Sequence, residues 1–300
     1  MSSGTSADAG VLFPVRDYDL EATLGCGQAF RWELADGGWE AVVAGRWVRL
    51  ERDPAGLRAR CAPDGADWDW LRRHLALDED LEAIVSTFPQ DPPMRAAAEA
   101  CRGLRLLRQE PWECLASFIA SSNKQIVQIR RIVRALAERL GTPLAAPAAR
   151  VCAHAFPEPA VVVSAGDPAL RACRLGYRVP FLLDAATRVV EGRLDLEALQ
   201  EMPTPEARER LMEVAGVGPK IADCVLLFAY GRQDAFPIDV WVRRALTDLY
   251  FPRARRVAPA RLARFSSTHF GAYAGYAQQY LFHHARIRAG KAGGGERAGS

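Results

Sequence analysis

A chain of 300 residues that is 49% hydrophobic and 25% charged can bury one large core or two joined ones, which excludes a wholly disordered or collagen-like polymer. No run of about 18 apolar residues occurs, so no membrane span is expected; the polar start Met1–Asp8 lacks a basic-then-apolar secretory pattern, so a soluble, intracellular protein is expected. The net charge of +3 conceals an asymmetry: residues 1–93 hold 17 acidic and 9 basic side chains (net −8), and residues 94–300 hold 19 acidic and 30 basic (net +11), which suits either a polyanion such as nucleic acid or a solvated basic face.

Residues 1–10 read as a flexible start. From 28 to 61 polar and apolar residues alternate, with Phe30, Trp32 and Leu34 on one face and Arg31 and Glu33 on the other. Asp36-Gly37-Gly38 is a hairpin signal. Trp39–Val43 and Arg46–Arg52 read as strands joined at Ala44-Gly45, and Asp53-Pro54-Ala55-Gly56 turns into a strand at Leu57–Cys61. These make a small antiparallel sheet. Past residue 68 the period becomes helical. Asp91-Pro92-Pro93 marks a boundary, because proline ends a preceding helix. The expected organisation is a sheet domain at 11–92, a helical domain at 93–287 and a flexible Gly-rich tail at 288–300, an α+β fold class.

Within the helical part, helices are expected at 94–103, 111–121 and 124–140. The last carries Ile126, Ile129, Val133, Leu136 and Leu140 on one stripe, with Arg130, Arg131 and Arg134 largely off it. Residues 145–165 are Ala/Pro-rich and ambiguous. Helices follow at 180–188 and 195–200. Thr204 caps the next, with Pro205 at its first position. Others run from Pro219 to Tyr230, from Val240 to Leu249 behind Asp239, and over 273–287.

Seven scattered cysteines (26, 61, 101, 114, 152, 173, 224) form no CxxC pair, so neither zinc nor an iron–sulfur cluster is signalled, and reduced, mostly buried thiols are expected. Of 39 basic residues only Lys124, Lys220 and Lys291 are lysine. One of them lies in Leu211-Met212-Glu213-Val214-Ala215-Gly216-Val217-Gly218-Pro219-Lys220, which reads as helix, glycine hairpin, helix. Gly216 and Gly218 permit a tight turn and leave amides at the next helix N-terminus, where a phosphate is favoured. Such a turn is also an ordinary helix connection.

The context favours the first reading. Lys220, followed nineteen residues on by Asp239 in Phe236-Pro237-Ile238-Asp239-Val240, resembles the signature of the helix-hairpin-helix DNA glycosylase superfamily. Gly25-Cys26-Gly27-Gln28-Ala29-Phe30-Arg31-Trp32, Ser121-Ser122-Asn123, Leu175-Gly176-Tyr177-Arg178 and Gly275-Tyr276-Ala277-Gln278-Gln279-Tyr280-Leu281-Phe282 narrow the resemblance to its 8-oxoguanine DNA glycosylase/lyase branch, in the family's order over residues 20–287. The resemblance implies excision of 8-oxoguanine from double-stranded DNA, with Lys220 attacking the deoxyribose C1′ and a Schiff base allowing β-elimination. A lysine is nucleophilic only as the neutral amine, and a helix N-terminus disfavours the ammonium.

The resemblance further implies that Asp239, also a natural N-cap, stabilises the charge that builds on the sugar. Gln278 and Phe282, four apart on one helix face, would read and stack on an extruded base. The Gly27 carbonyl would accept the hydrogen on N7 that separates the lesion from guanine, and Cys224 would lie near the base. Asn123, Tyr177, Arg178 and the hairpin glycines Gly216 and Gly218 would touch DNA. No cofactor or metal is implied, although hairpin carbonyls can hold a monovalent cation. A monomer is expected, inside the cell with the DNA: in the cytoplasm or nucleoid of a bacterium, or in the nucleus of a eukaryote. Four positions depart from the family's pattern. Lys124-Gln125 stands where asparagines continue in animal and fungal members, Gln128 replaces an arginine that reads the opposing cytosine, and Trp241 replaces a histidine. Phe228 fills a pocket-wall position often held by methionine. The alternatives are a monofunctional alkylpurine glycosylase, a branch that usually lacks the lysine, and a noncatalytic hairpin module.

Overall fold

The computed structural model describes residues 10–63, 67–144, 146, 153–254 and 256–290. Most of the expected flexible start and tail, and Cys152 and Lys291, lie outside these. The fold is α+β, an antiparallel sheet followed by helices. Five strands, β1 (Val11–Pro14), β2 (Glu33–Ala35), β3 (Gly38–Val43), β4 (Arg46–Asp53) and β5 (Gly56–Ala62), lie in the order β1-β5-β4-β3-β2. The two tight hairpins have paired positive φ values, Asp36 (47°) with Gly37 (77°) and Ala44 (48°) with Gly45 (70°), the turn whose twist matches that of the strands. Gly38 is thus the first residue of β3 rather than part of the turn.

Two features of the sheet differ from the alternation read in the sequence. Strand β1, directly after the start, pairs with β5 in the register Val11↔Ala59 and Phe13↔Leu57. Residues 28–32 are not strand, and Leu34 is 62% exposed while Phe30 and Trp32 are buried in different cores. The reason is Gln28. Its buried amide donates to the Thr23 and Arg105 carbonyls (both 2.8 Å) and accepts from the Leu107 amide (2.8 Å), and its own carbonyl accepts from Gln109 Nε2 (2.7 Å). Backbone groups elsewhere in the chain hold the segment off the sheet.

The helices are α1 (Leu20–Gly25), α2 (Asp69–His74), α3 (Leu81–Ser86), α4 (Pro92–Ala100), α5 (Pro111–Ser121), α6 (Ile126–Leu140), α7 (Pro159–Ala172), α8 (Val179–Val190), α9 (Thr204–Met212), α10 (Pro219–Phe228), α11 (Val240–Tyr250), α12 (Pro259–His269) and α13 (Ala274–Arg288). The Asp91-Pro92-Pro93 step starts α4 instead of stopping a helix: Asp91 Oδ1 accepts from the Met94 amide (2.8 Å), and the prolines sit where no N–H is needed. Thr204 is the first helical residue and not the cap; Pro203 precedes it, and the Thr204 hydroxyl donates to Asp234 (2.9 Å). The stretch 195–200 yields only a 3-10 turn at Ala198–Gln200. Helices α7 and α12 were not legible in the sequence; α7 bends at Gly166 (φ 67°).

Two apolar cores result. The smaller packs Phe13, Val48, Leu50 and Leu57 of the sheet against Leu24 of α1 and Leu71 and Leu75 of the α2 region, with Leu107 arriving from beyond α4. The larger fills the space between α4, α5, α6, α8, α10, α11 and α13, and takes in Ala22, Cys26 and Phe30 from the start of the chain. Among the described residues no helix is long and apolar enough to cross a membrane.

Candidate active site

Helices α9 and α10 form the expected hairpin. Gly216 has φ +77°, and a Cβ there would lie 2.5 Å from the Phe181 ring, so both backbone conformation and contact require glycine. Asp184 of α8 accepts from the Ala215 amide (2.8 Å) and ties down the same turn. Gly218 is the N-cap of α10, in extended conformation, and nothing lies within 4 Å of where its Cβ would be. That leaves a bare helix N-terminus suited to a phosphate.

Lys220 follows one residue into α10, half-buried. Its Nζ donates to Ser121 Oγ of α5 (3.4 Å) and stands 5.1 Å from the centroid of the Phe118 ring. Asp239 caps α11: its Oδ1 accepts from the Val242 amide (2.7 Å). Burial pushes its carboxyl pKa up, against the opposing pull of that amide and of the Lys220 charge. Lys220 and Asp239 line one cleft. Its other walls are Gly27, Cys224 and Phe228, Gln278 and Phe282 of α13, and three residues not singled out in the sequence, Phe118, Pro237 and Gln279. Cys224, one turn after Lys220, is 3% exposed, and burial pushes its thiol up to about 12. Gln278 is 4% exposed and its Oε1 has no hydrogen-bond partner, so an acceptor stands ready at the cleft wall. The cleft encloses about 50 Å³. A larger cavity of about 570 Å³ lies between the sheet and α5, but it contains neither Lys220 nor Asp239, so it is not where this chemistry sits.

Gly27 has φ +91°, and a Cβ there would run into Ile126, the first residue of α6. Gln279 Nε2 donates to Cys26 Sγ (3.0 Å), and Arg286 Nη1 donates to the Cys26 carbonyl (3.0 Å), so α13 holds this turn at the cleft.

Asn123, Tyr177 and Arg178 come together away from the cleft lining. Asn123, at φ +53°, donates from Nδ2 to the Tyr177 hydroxyl (3.4 Å), and Tyr177 is 55% exposed. Arg178 is turned inward and only 3% exposed. It donates to the Leu175 carbonyl (3.1 Å) and to the Ser122 carbonyl through Nε (3.0 Å) and Nη2, while its guanidinium carbon lies 4.2 Å from the Tyr177 ring centroid. Gln128 completes a capping box at the start of α6, its Oε1 accepting from the Gln125 amide (3.3 Å). Among the described residues no group of three or more His, Cys, Asp or Glu side chains could hold a metal ion.

Hairpin, lysine, capping aspartate and aromatic cleft together define a helix-hairpin-helix DNA glycosylase. The family model for the N-terminal domain of 8-oxoguanine DNA glycosylase matches residues 11–115. A probable N-glycosylase/DNA lyase of Methanothermobacter thermautotrophicus is 32% identical over 302 aligned positions, covering 91% of this chain and 95% of that one. Two solved structures each cover 91% of this chain and 93% of their own, with a TM-score of 0.85: MBOgg1 in complex with a low-affinity DNA ligand, at 34% identity, and the Clostridium acetobutylicum 8-oxoguanine glycosylase/lyase with double-stranded DNA carrying cytosine opposite 8-oxoguanine, at 29%. The chain belongs to the 8-oxoguanine DNA glycosylase/lyase family, as a bifunctional base-excision-repair enzyme that joins glycosylase to AP lyase activity.

Proposed function

We propose that the enzyme excises 8-oxoguanine lying opposite cytosine, with Lys220 as nucleophile and Asp239 as its electrostatic partner. Nζ of Lys220 forms a bond to C1′ while the glycosidic bond breaks, and the base leaves with the electron pair and takes up a proton. Ring opening of the sugar gives a Schiff base on Nζ; loss of a C2′ proton then expels the 3′ phosphate. Asp239 offsets the positive charge that develops on the sugar, from a fixed position and without reorganisation. Phe282 stacks on the extruded base, Gln278 meets its Watson–Crick edge with the unpartnered Oε1 and the amide nitrogen, the Gly27 carbonyl accepts the N7 hydrogen, and Cys224 packs beside the base as a neutral thiol. The amides at Gly216 and Gly218 take a backbone phosphate. Tyr177 and Asn123 occupy the gap left in the duplex, with Arg178 bracing them. The enzyme works as a monomer, inside the cell with the DNA.

The observation that carries this reading is one cleft shared by Lys220, Asp239, Gly27, Gln278 and Phe282, which come from four separate stretches of chain. The test is borohydride trapping on duplex containing 8-oxoguanine opposite cytosine. Wild type forms a covalent adduct and Lys220→Gln does not. Excision without an adduct would identify a monofunctional glycosylase, and binding without excision a noncatalytic module; either overturns the proposal.

A further inference from the structure

Residues 278, 282 and 286 fall at intervals of four on α13 and share one face. The first two are the base-contacting positions proposed above. The third, Arg286, is only 8% exposed, and a buried guanidinium is unfavourable unless its hydrogens are used. Its Nη1 donates to the Cys26 carbonyl (3.0 Å) and stands 3.6 Å from where a Gly27 Cβ would be. Its guanidinium carbon lies 5.6 Å from the centroid of the Phe282 ring. One side chain therefore touches both halves of the base pocket, the 25–28 turn and α13.

We infer that Arg286 is a positioning residue for base recognition, fixing the Cys26–Gly27 peptide against α13 so that the Gly27 carbonyl is held where it can meet the base. A glycine at φ +91° has no side chain to restrain it, so the direction of its carbonyl depends on the peptides on either side. On the far side Gln28 is clamped by Thr23, Arg105, Leu107 and Gln109. On the near side the Cys26 carbonyl is held by Arg286. With both neighbours pinned, the Gly27 carbonyl has little freedom left, and a carbonyl aimed before the base arrives discriminates better than one ordered on arrival. The same guanidinium backs the Phe282 ring and keeps its face toward the cleft.

The inference rests on the reading of Gly27 as the lesion-sensing position, and the experiment separates the two. Single-turnover excision of 8-oxoguanine and of undamaged guanine, both opposite cytosine, is compared with strand cleavage at a preformed abasic site, which presents no base. Arg286→Met removes every donor at similar length, and Arg286→Lys keeps a charged donor nitrogen. Loss of a charged hydrogen bond is expected to lower 8-oxoguanine excision in Arg286→Met by about tenfold or more, to leave abasic-site cleavage within about twofold of wild type, and to be partly rescued in Arg286→Lys. Equal loss of excision and cleavage in both variants would make Arg286 merely structural, and unchanged excision in Arg286→Met would also overturn the inference. If wild type itself excises 8-oxoguanine no faster than guanine, the base-reading assignment of Gly27 fails first, and this inference with it.

Discussion

Replacing Asp239 by asparagine separates the two tasks its carboxylate performs. The Val242 amide donates to Oδ1 at 2.7 Å, and an asparagine oxygen can accept the same bond, since Asn and Asp are equivalent caps to within a few tenths of a kcal/mol. What disappears is the charge. Burial has pushed the carboxyl pKa up despite the Val242 amide and Lys220, so the ionised form is less favourable in the fold than in the unfolded chain. A carboxyl of this kind burdens the fold once pH exceeds its folded value; the burden is absent below the unfolded value of about 3.9. Asp239→Asn should therefore melt at or above the wild-type temperature at pH 7, and the difference should vanish as pH falls to about 3. Asp239→Ala, which also loses the cap, should fall below Asp239→Asn by about 1 kcal/mol. Excision should drop by about a hundredfold or more in both, because a fixed transition-state charge is lost. Thermal melts across this pH range, paired with single-turnover excision, provide the measurement. If Asp239→Asn melts as low as Asp239→Ala at neutral pH, the carboxylate is kept for the fold. If its excision stays within tenfold of wild type, the carboxylate is not the electrostatic partner of Lys220.

Gly216→Ala should lose about 2 kcal/mol or more, combining a positive φ with overlap onto the Phe181 ring, and should weaken DNA binding as the hairpin shifts; denaturant titration checks the first and a filter-binding isotherm the second. Shortening the ring in Gly216→Ala/Phe181→Leu should recover part of that loss, so the double variant is less destabilised than the sum of the singles. Cys61 is half-buried, whereas Cys26, Cys101, Cys114, Cys173 and Cys224 are buried and burial pushes their thiols up, so among these six described cysteines iodoacetamide at pH 8 should label Cys61 first in the native protein. Peptide mapping reads this out, and early modification of Cys224 would contradict the burial of the cleft floor.

Local signals in the chain were enough for the elements that carry the chemistry. Helix α5 occupies 111–121 as expected, because Pro111 starts it and the Glu110 carboxylate caps it by accepting from the Trp112 and Glu113 amides. The hairpin and the Asp239 cap were readable for the same reason: glycine, proline and aspartate act through their own backbone neighbourhood. The misreadings are long-range. Residues 28–32 alternate like a strand, yet bonds from 105, 107 and 109 pull them out of the sheet. Asp91-Pro92-Pro93 contains both a stop and a start signal, and only the Met94 amide bond shows which one operates. In the site, Phe118 was not singled out, being one apolar residue among many in the 111–121 run. Its place three residues before Ser121, whose hydroxyl meets Lys220, was the available clue. Gln279 lies a third of a helical turn from Gln278, and no periodicity argument brings both to one cleft; it gets there through Cys26. The packing of Gly27 against Ile126 joins positions 99 apart, and no spacing rule reaches that far.

The fully bonded Gln28 amide also bears on how such a protein can be inherited. Its partners come from just before it and from some eighty residues later, with strands β2 to β5 in between. A recombination event that imports the sheet from a distant relative must bring residues 23, 28 and 105–109 together, or leave a buried amide facing nothing. The sheet and the 105–109 segment should therefore be inherited as one unit, with tolerated breakpoints beyond Gln109 rather than at the proline pair that looks, on paper, like the seam.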